Sequence, residues 1–313
     1  MDIRNLGRSG LRVSSIGLGC NNFGWRIDLE GTRAVVHKAL DVGITLFDTA
    51  DIYGNLGGSE TLLGQVLGER RKDIVLATKF RQPMDAPGTL QGASRRYIVS
   101  AVEASLRRLR TDWIDLYQVH FPDPLTPMEE TLRALDDLVA QGKVRYLGLS
   151  NHPAWQVADA HWIARTEHLN GFVSCQDEYS LVTREPEREL IPALRHYGLG
   201  LLPYFPLASG LLTGKYSGGG APAADTRFGS TQGLADRYLT ERNRKLADRL
   251  AGFAESRGHS MLELAFGWLL SREPVASVIA GATRPEQVEQ NAQTGGWRLS
   301  ADELAEIDRI SAA

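Results

Sequence analysis

The sequence predicts an α/β fold of the (β/α)8 class, in which eight short parallel strands close on themselves and helices cover the outside. Three observations predict it. Apolar runs alternate with segments of helical periodicity about every 30 residues from residue 16 onward. Eight such units occur, the number that closes a barrel. The first apolar run is followed by GLGCNNFG, which lacks the G-x-G-x-x-G turn of an open doubly wound sheet.

The elements follow in order. Residues 3 to 15 read as a hairpin, with RSG turning between IRNL and LRVSS. Lying before the first repeat unit, it is expected to plug one end of the core. IGLGC (16–20) is the first buried strand, and a loop rich in Gly, Asn and Trp runs from Asn21 to Asp28. The helix TRAVVHKALDVG closes on Gly43, a C-terminal cap signal. Strand 44–48, helix 58–69, strand 74–79 and helix 94–109 come next. They are followed by strand 114–119, helix 127–141, strand 144–149, helix 154–168 and strand 171–176. Helix 186–197 and strand 199–204 lead into a long segment, 206–238, whose YSGGGAPAADTRFGS reads as flexible loop. Helices 240–257 and 260–271, strand PVASVIAG, helix 284–292 and a terminal helix DELAEIDRI complete the chain. No linker composition divides it, so residues 1–313 are read as one domain with an N-terminal hairpin and extra C-terminal helices, a TIM barrel.

Composition narrows the function classes. The chain has 313 residues, 42% of them hydrophobic and 23% charged, which is ordinary for a globular protein. A net charge of -3 without a long basic run gives no support to a nucleic-acid or anionic-membrane partner. Cys20 and Cys175 lack metal-ligand spacing and read as buried thiols in a reducing compartment. The first residues, MDIRNLGRSGLRV, do not form a signal peptide, and no apolar run reaches membrane-spanning length. A soluble, cytoplasmic protein is expected, and the sequence is equally compatible with a monomer and a homo-oligomer.

Polar residues finish several of the apolar runs. TLFD ends in Asp48 with Tyr53 five residues later in a Gly-bounded loop; IVLATK ends in Lys79; IDLYQVH ends in His120; VRYLGLSN ends in Ser150 and Asn151. In a parallel barrel these ends share one face, the face that carries active sites. Singly, Asp48 reads as a cap, Tyr53 as a packed surface tyrosine and His120 as a core histidine. Lys79 already requires a counter-ion. Together they suit protonation of a carbonyl oxygen. The Lys79 ammonium is expected to lower the pKa of the Tyr53 phenol, Asp48 to hold Lys79, and His120 to orient the carbonyl by a hydrogen bond.

D-T-A-x-x-Y-G, the strand-end Lys and His, GLSN and the run YFPLASGLLTGKY resemble the aldo-keto reductase superfamily over essentially the whole chain, with GITLFDTADIYG and GSETLLGQVL the most specific parts. The resemblance implies a barrel that reduces carbonyls with NADPH and without metal. It makes Tyr53 the general acid, with Asp48, Lys79 and His120 completing a tetrad. It also implies nicotinamide carboxamide contacts from Ser150, Asn151 and Gln176, and a stacking ring from Tyr204. Leu207, Ser209, Gly210 and Lys215 would wrap the pyrophosphate. Gly281 and Ala282 lead into the next helix, where Arg284, Gln287, Gln290 and Asn291 would hold the adenosine phosphate. Arg284 at a helix start, where the dipole disfavours a cation, argues for a 2′-phosphate and NADP over NAD. Asp177, Phe205 and Gln290 depart from the family's usual Asn, Ser and Glu.

Phe23, Trp25, Phe80 and Phe121 flank the strand ends and are expected to form an aromatic substrate wall. Without a long C-terminal tail the pocket should be open, with specificity set by loops 21–30, 81–93, 121–126 and 206–238. The alternative reading is a non-catalytic or slow NADP(H)-binding, redox-sensing regulatory subunit of the same fold. A carboxylate-based hydrolase finds only Asp177 as a second acid for Asp48.

Overall fold

The computed structural model describes residues 1–214 and 227–312. β1 (Ile3–Asn5) and β2 (Arg12–Ser14) pair antiparallel, with Ile3 opposite Ser14. The next seven strands are β3 (Ile16–Gly19), β4 (Leu46–Asp48), β5 (Val75–Phe80), β6 (Ile114–Val119), β7 (Val144–Ser150), β8 (Phe172–Glu178) and β9 (Gly200–Tyr204). They lie parallel in sequence order, and β10 (Val278–Gly281) pairs with β3 at the other edge. Leu201 of β9 closes the ring through Pro274 and Ala276: its N–H donates to the Pro274 carbonyl at 2.9 Å, and its carbonyl accepts the Ala276 N–H at 3.0 Å. The run PVASVIAG is therefore not one strand. Its first residues bridge to β9 and only its last four pair with β3.

Helices α1 (Leu29–Asp41), α2 (Tyr53–Leu67), α3 (Arg95–Leu109), α4 (Met128–Ala140), α5 (Ala154–Thr166) and α6 (Leu190–Tyr197) follow β3 to β8 in turn. The right-handed part of α2 begins where the sequence predicts the helix, at residue 58. Gly54, Asn55, Leu56 and Gly57 have φ between 60° and 108°, so right-handed turns begin only at Gly58. Between β9 and β10 lie a 3₁₀ segment (Ala208–Thr213), α7 (Arg227–Ser230), α8 (Gln232–Tyr238), α9 (Glu241–Glu255) and α10 (Met261–Leu270). The reading of 206–238 as one long loop is thereby corrected. Leu211, Leu212, Phe228 and Tyr238 are buried and anchor these short helices, an apolar signal outweighed in the sequence by Gly, Pro and Ala between them. Residues 215–226, with most of the glycine-rich stretch, lie outside the described residues. α11 (Pro285–Gln293) follows β10, and α12 (Ala301–Ala312) ends the described chain.

Strand alternation divides the core in two. Leu46, Ala77, Leu116, Leu202, Ala276 and Ile279 fill the barrel interior with Leu6 and Val13 of the hairpin, which plugs the amino-terminal end of the strands as expected. Leu76, Phe80, Tyr117 and their equivalents face outward and pack with the helices. Two residues further along three of these strands, the inward layer turns polar: Asp48 follows Leu46, Lys79 follows Ala77, and Gln118 follows Leu116. In the barrel register Lys79 lies opposite Gln118, and Ser150 opposite Gln176. Gly148 makes room for this layer, because a Cβ there would meet Gln118 Cγ and Ser174 Oγ at 2.9 Å.

Candidate active site

The polar layer forms the floor of a cavity of about 850 Å³ at the carboxyl ends of the strands. Asp48 is its electrostatic hub. Oδ2 accepts from Lys79 Nζ at 2.6 Å, while Oδ1 accepts from Gln118 Nε2 at 3.1 Å and Gln176 Nε2 at 2.9 Å. Lys79 is wholly buried and lies behind the cavity wall, its ammonium also donating to the Thr49 carbonyl at 2.9 Å. Burial alone would lower its pKa, but Asp48 and then Tyr53 outweigh this and hold it above the ordinary lysine value.

Tyr53 is positioned by the turn after β4. Its N–H donates to the Ala50 carbonyl at 3.1 Å, and the left-handed residues after it let the chain turn sharply into α2. Gly54 is obligatory there: at φ 68° an added Cβ would meet the Phe23 carbonyl oxygen and, at 2.5 Å, the Ser59 nitrogen. The Tyr53 ring stands edge-on to His120, with centroids 5.7 Å apart, and Lys79 Nζ lies 5.0 Å from its centre. Asp48, Tyr53, Lys79 and His120 are thus brought together. One electrostatic expectation is corrected. Burial raises the Tyr53 phenol above its ordinary pKa, and Lys79, pulling it down as foreseen, does not overcome burial. Burial, reinforced by Lys79 and Arg81, holds His120 well below the ordinary histidine range. The resting set is therefore a protonated phenol, a neutral imidazole and a buried ammonium–carboxylate pair.

Above this floor, Asn151 ties three strand ends together at φ 60°, a conformation asparagine tolerates. Its Nδ2 donates to the His120 carbonyl and to Ser150 Oγ, each at 3.0 Å, and its Oδ1 accepts from Tyr204 OH at 2.8 Å. Ser150, Asn151, Gln176 and Tyr204 all line the cavity, as do Leu207, Ser209 and Gly210 after β9. Among the described residues Ser209 Oγ is buried without a partner. At the far end stand Gly281, Ala282, Arg284, Gln287, Gln290 and Asn291. Arg284 precedes α11 without capping it and makes no ion pair among the described residues. Gln287 Oε1 accepts from the Thr283 N–H at 2.8 Å, shaping the turn before that helix. Lys215 lies outside the described residues.

The aromatic wall is corrected. Phe121 lines the cavity and stacks on His120, with centroids 5.0 Å apart. Phe80 is wholly buried on the outer side of the barrel against Tyr117, because the residue after an inward-facing Lys79 must face outward. Phe23 is equally buried in the core. Trp25 is 55% exposed and lines a separate shallow depression, with the Arg26 guanidinium 4.7 Å from its ring. Asp177 lies beside the site: burial pushes its carboxyl up to about 6, and Oδ1 accepts the Glu178 N–H at 2.7 Å.

Sequence reading passed over several participants. Gln118 supports Asp48 and was signalled by a polar residue inside an apolar strand, in phase with the inward positions. Asn22, whose Nδ2 donates to the Ala282 carbonyl at 3.3 Å, joins the first loop to the last. Arg26 lines the same cavity. Neither loop residue has a periodic signal. Among the described residues no helix is long and apolar enough to cross a membrane. Cys20 and Cys175 are both buried and free.

Residues 15–312 match the aldo/keto reductase family. Among curated proteins, a probable voltage-gated potassium channel subunit beta from Oryza sativa subsp. japonica is 39% identical, covering 93% of this chain and 90% of its own length. An L-glyceraldehyde 3-phosphate reductase from Escherichia coli (strain K12) is 36% identical, covering 99% and 92%. An uncharacterized oxidoreductase from Bacillus subtilis (strain 168) is 38% identical, covering 99% and 96%. The barrel, its polar floor and these matches lead to one conclusion: the chain belongs to the aldo/keto reductase family and is an oxidoreductase of the kind that reduces carbonyl groups.

Proposed function

We propose that the protein reduces aldehydes and ketones reversibly to alcohols with NADPH, Tyr53 providing the proton. The observation that carries this reading is the Tyr53 phenol at the floor of a deep cavity, beside a neutral His120 and backed by the buried Lys79–Asp48 pair. The residues present fit a nicotinamide dinucleotide. Ser150, Asn151 and Gln176 carry the donors and acceptors that complement a carboxamide, and the unpartnered Ser209 hydroxyl can serve the diphosphate. Arg284, a cation without a counter-ion among the described residues and placed at a helix start, suits a 2′-phosphate and favours NADPH over NADH. When bound, the cofactor supplies the hydride. The protein's own part is positional and acidic. His120 orients the carbonyl oxygen toward the phenol, Tyr53 O–H donates its proton as negative charge develops there, and Lys79 stabilises the phenolate left behind. Asp48, Gln118 and Gln176 keep that ammonium in place. The two free buried thiols suit a reducing cytoplasm.

Cofactor oxidation with NADPH and then NADH, against aromatic, aliphatic and sugar-derived carbonyls, tests the reading. Turnover favouring NADPH is expected, and Tyr53→Phe should lower kcat by about 100-fold or more; normal turnover by that variant would sink the mechanism. A second reading is a redox-sensing subunit, favoured by relatives named as channel β-subunits. It predicts tight NADPH binding without turnover of any carbonyl.

A further inference from the structure

A second depression, of about 530 Å³, adjoins the catalytic cavity. Asn151 and Tyr204, joined by their 2.8 Å hydrogen bond, line both and form a wall between them. Strand alternation puts Asp177 on the far side: it follows inward-facing Gln176 and so turns outward, away from Tyr53. Asp177, Glu178, Glu185 and Glu189 line this depression together with one cation, Arg237. Arg237 pairs with Glu178, which also accepts from Tyr238 OH at 2.5 Å and Thr183 Oγ1 at 3.0 Å. The other three carboxylates have no ion pair among the described residues.

Glu185 and Glu189 already suit the positive start of α6, which they precede. Asp177 and His152 have no such explanation. Asp177 is half-buried; one oxygen accepts the Glu178 N–H, and the other accepts from no described residue. Its carboxyl is pushed up to about 6 by burial, and no neighbouring cation offsets that cost. His152 lies at the base of the same depression, only 1% exposed. Its Nδ1 is 2.7 Å from the Ser150 carbonyl and donates to it, since a carbonyl can only accept. Burial pushes the ring's pKa down to about 4, so it is neutral and Nε2 is an acceptor. Nε2 is buried, and no described residue donates to it. With the Nδ1 edge turned to the backbone, Nε2 is the polar atom this ring brings to the depression.

Two acceptors without donors, in surroundings of negative charge, call for a cation that carries N–H groups. A bare metal ion does not suit: among the described residues no three His, Cys, Asp or Glu side chains are placed to hold one. Pro153, Pro186 and Leu190 add apolar wall, against which an alkyl stem can lie. We propose that this depression binds an organic cation, an amino or guanidino group on an alkyl chain, whose N–H donors are shared between the Asp177 carboxylate and His152 Nε2. The occupant takes no part in carbonyl reduction, so the site stands whether or not the reductase reading does.

The test is calorimetric titration of wild type and Asp177→Asn at constant ionic strength, with n-butylammonium, n-butylguanidinium and uncharged butanol as probes. At pH 8 wild type should bind at least one cation saturably, one per chain, and should not bind butanol. The tighter cation distinguishes an amino from a guanidino ligand. Both cations keep their charge between pH 8 and pH 5, so binding should weaken about tenfold at pH 5 as Asp177 takes up a proton. Asp177→Asn should weaken binding about tenfold at pH 8 and level the pH profile. That levelling assigns the titration to Asp177 rather than to Glu178, Glu185 or Glu189, or to His152, Tyr204 or Arg237 around it. Absence of saturable binding by either cation overturns the proposal, as does equal binding of butanol or unchanged affinity in Asp177→Asn. If that variant does not fold, the wild-type profile decides: weakening at pH 5 supports the site, and a level profile overturns it.

Discussion

Burial and charge act on Tyr53 in opposite directions, and burial prevails. A proton donor in reduction must be protonated, so a raised phenol is suited to that direction across neutral pH. His120 contributes no titration there, because its depressed pKa keeps the ring neutral through and below the ordinary histidine value of about 6.5. The reduction rate should therefore be level from about pH 6.5 to 9 and fall only as pH rises past the ordinary tyrosine value of about 10. A kcat/KM profile checks this; an alkaline limb centred near neutrality would mean that Lys79 outweighs burial after all. At this scale the sequence is legible wherever a residue type contradicts its surroundings. Asp48, Lys79 and His120 each end an apolar strand, and Arg284 opens a helix against its dipole. Phe80 was equally legible: inward Lys79 dictates outward Phe80. The balance of forces on Tyr53 was not, because its burial is set by groups distant in the chain.

Helices α2 and α3 show how an element constrains the site. Glu60 of α2 is fully buried, accepting from Thr78 Oγ1 at 2.5 Å and from Arg108 Nε at 2.7 Å, so the helix carrying Tyr53 at its start is pinned to β5 and α3. Gly64 permits the approach, since a Cβ there would meet the carbonyl oxygens of Arg108 and Leu109. Gly64→Ala should destabilise the protein by about 1–3 kcal/mol through overpacking, although alanine favours an isolated helix by about 1 kcal/mol. Denaturant unfolding decides between the two effects, and a net gain in stability would show that the helices can separate cheaply. Element existence is readable here from periodicity alone. The 206–238 region is harder, because the adjacent Leu211 and Leu212 and the distant Phe228 and Tyr238 leave no periodic trace among Gly, Pro and Ala.

For the whole molecule, the barrel separates stability from chemistry by placing them at opposite ends. Leu6 of the hairpin is wholly buried among inward residues at the amino-terminal end, and the adjoining Arg8 N–H donates to the Gly198 carbonyl at 2.8 Å, just before β9. Leu6→Ala should cost about 2–5 kcal/mol of stability while leaving kcat unchanged at a temperature where the variant stays folded. Thermal unfolding and turnover measured on one preparation test this, and a parallel loss of both would show that the plug shapes the site. The sequence by itself determined the eightfold alternation, the hairpin plug and the polar strand ends that meet at the cavity, since each is written in local periodicity or in one residue type breaking it. Only the tertiary structure decided how the ring closes through residues 274–276, which aromatics face the cavity, and which way the Tyr53 proton equilibrium leans. Those outcomes depend on side chains converging from distant strands, where burial and charge are properties of the assembled barrel.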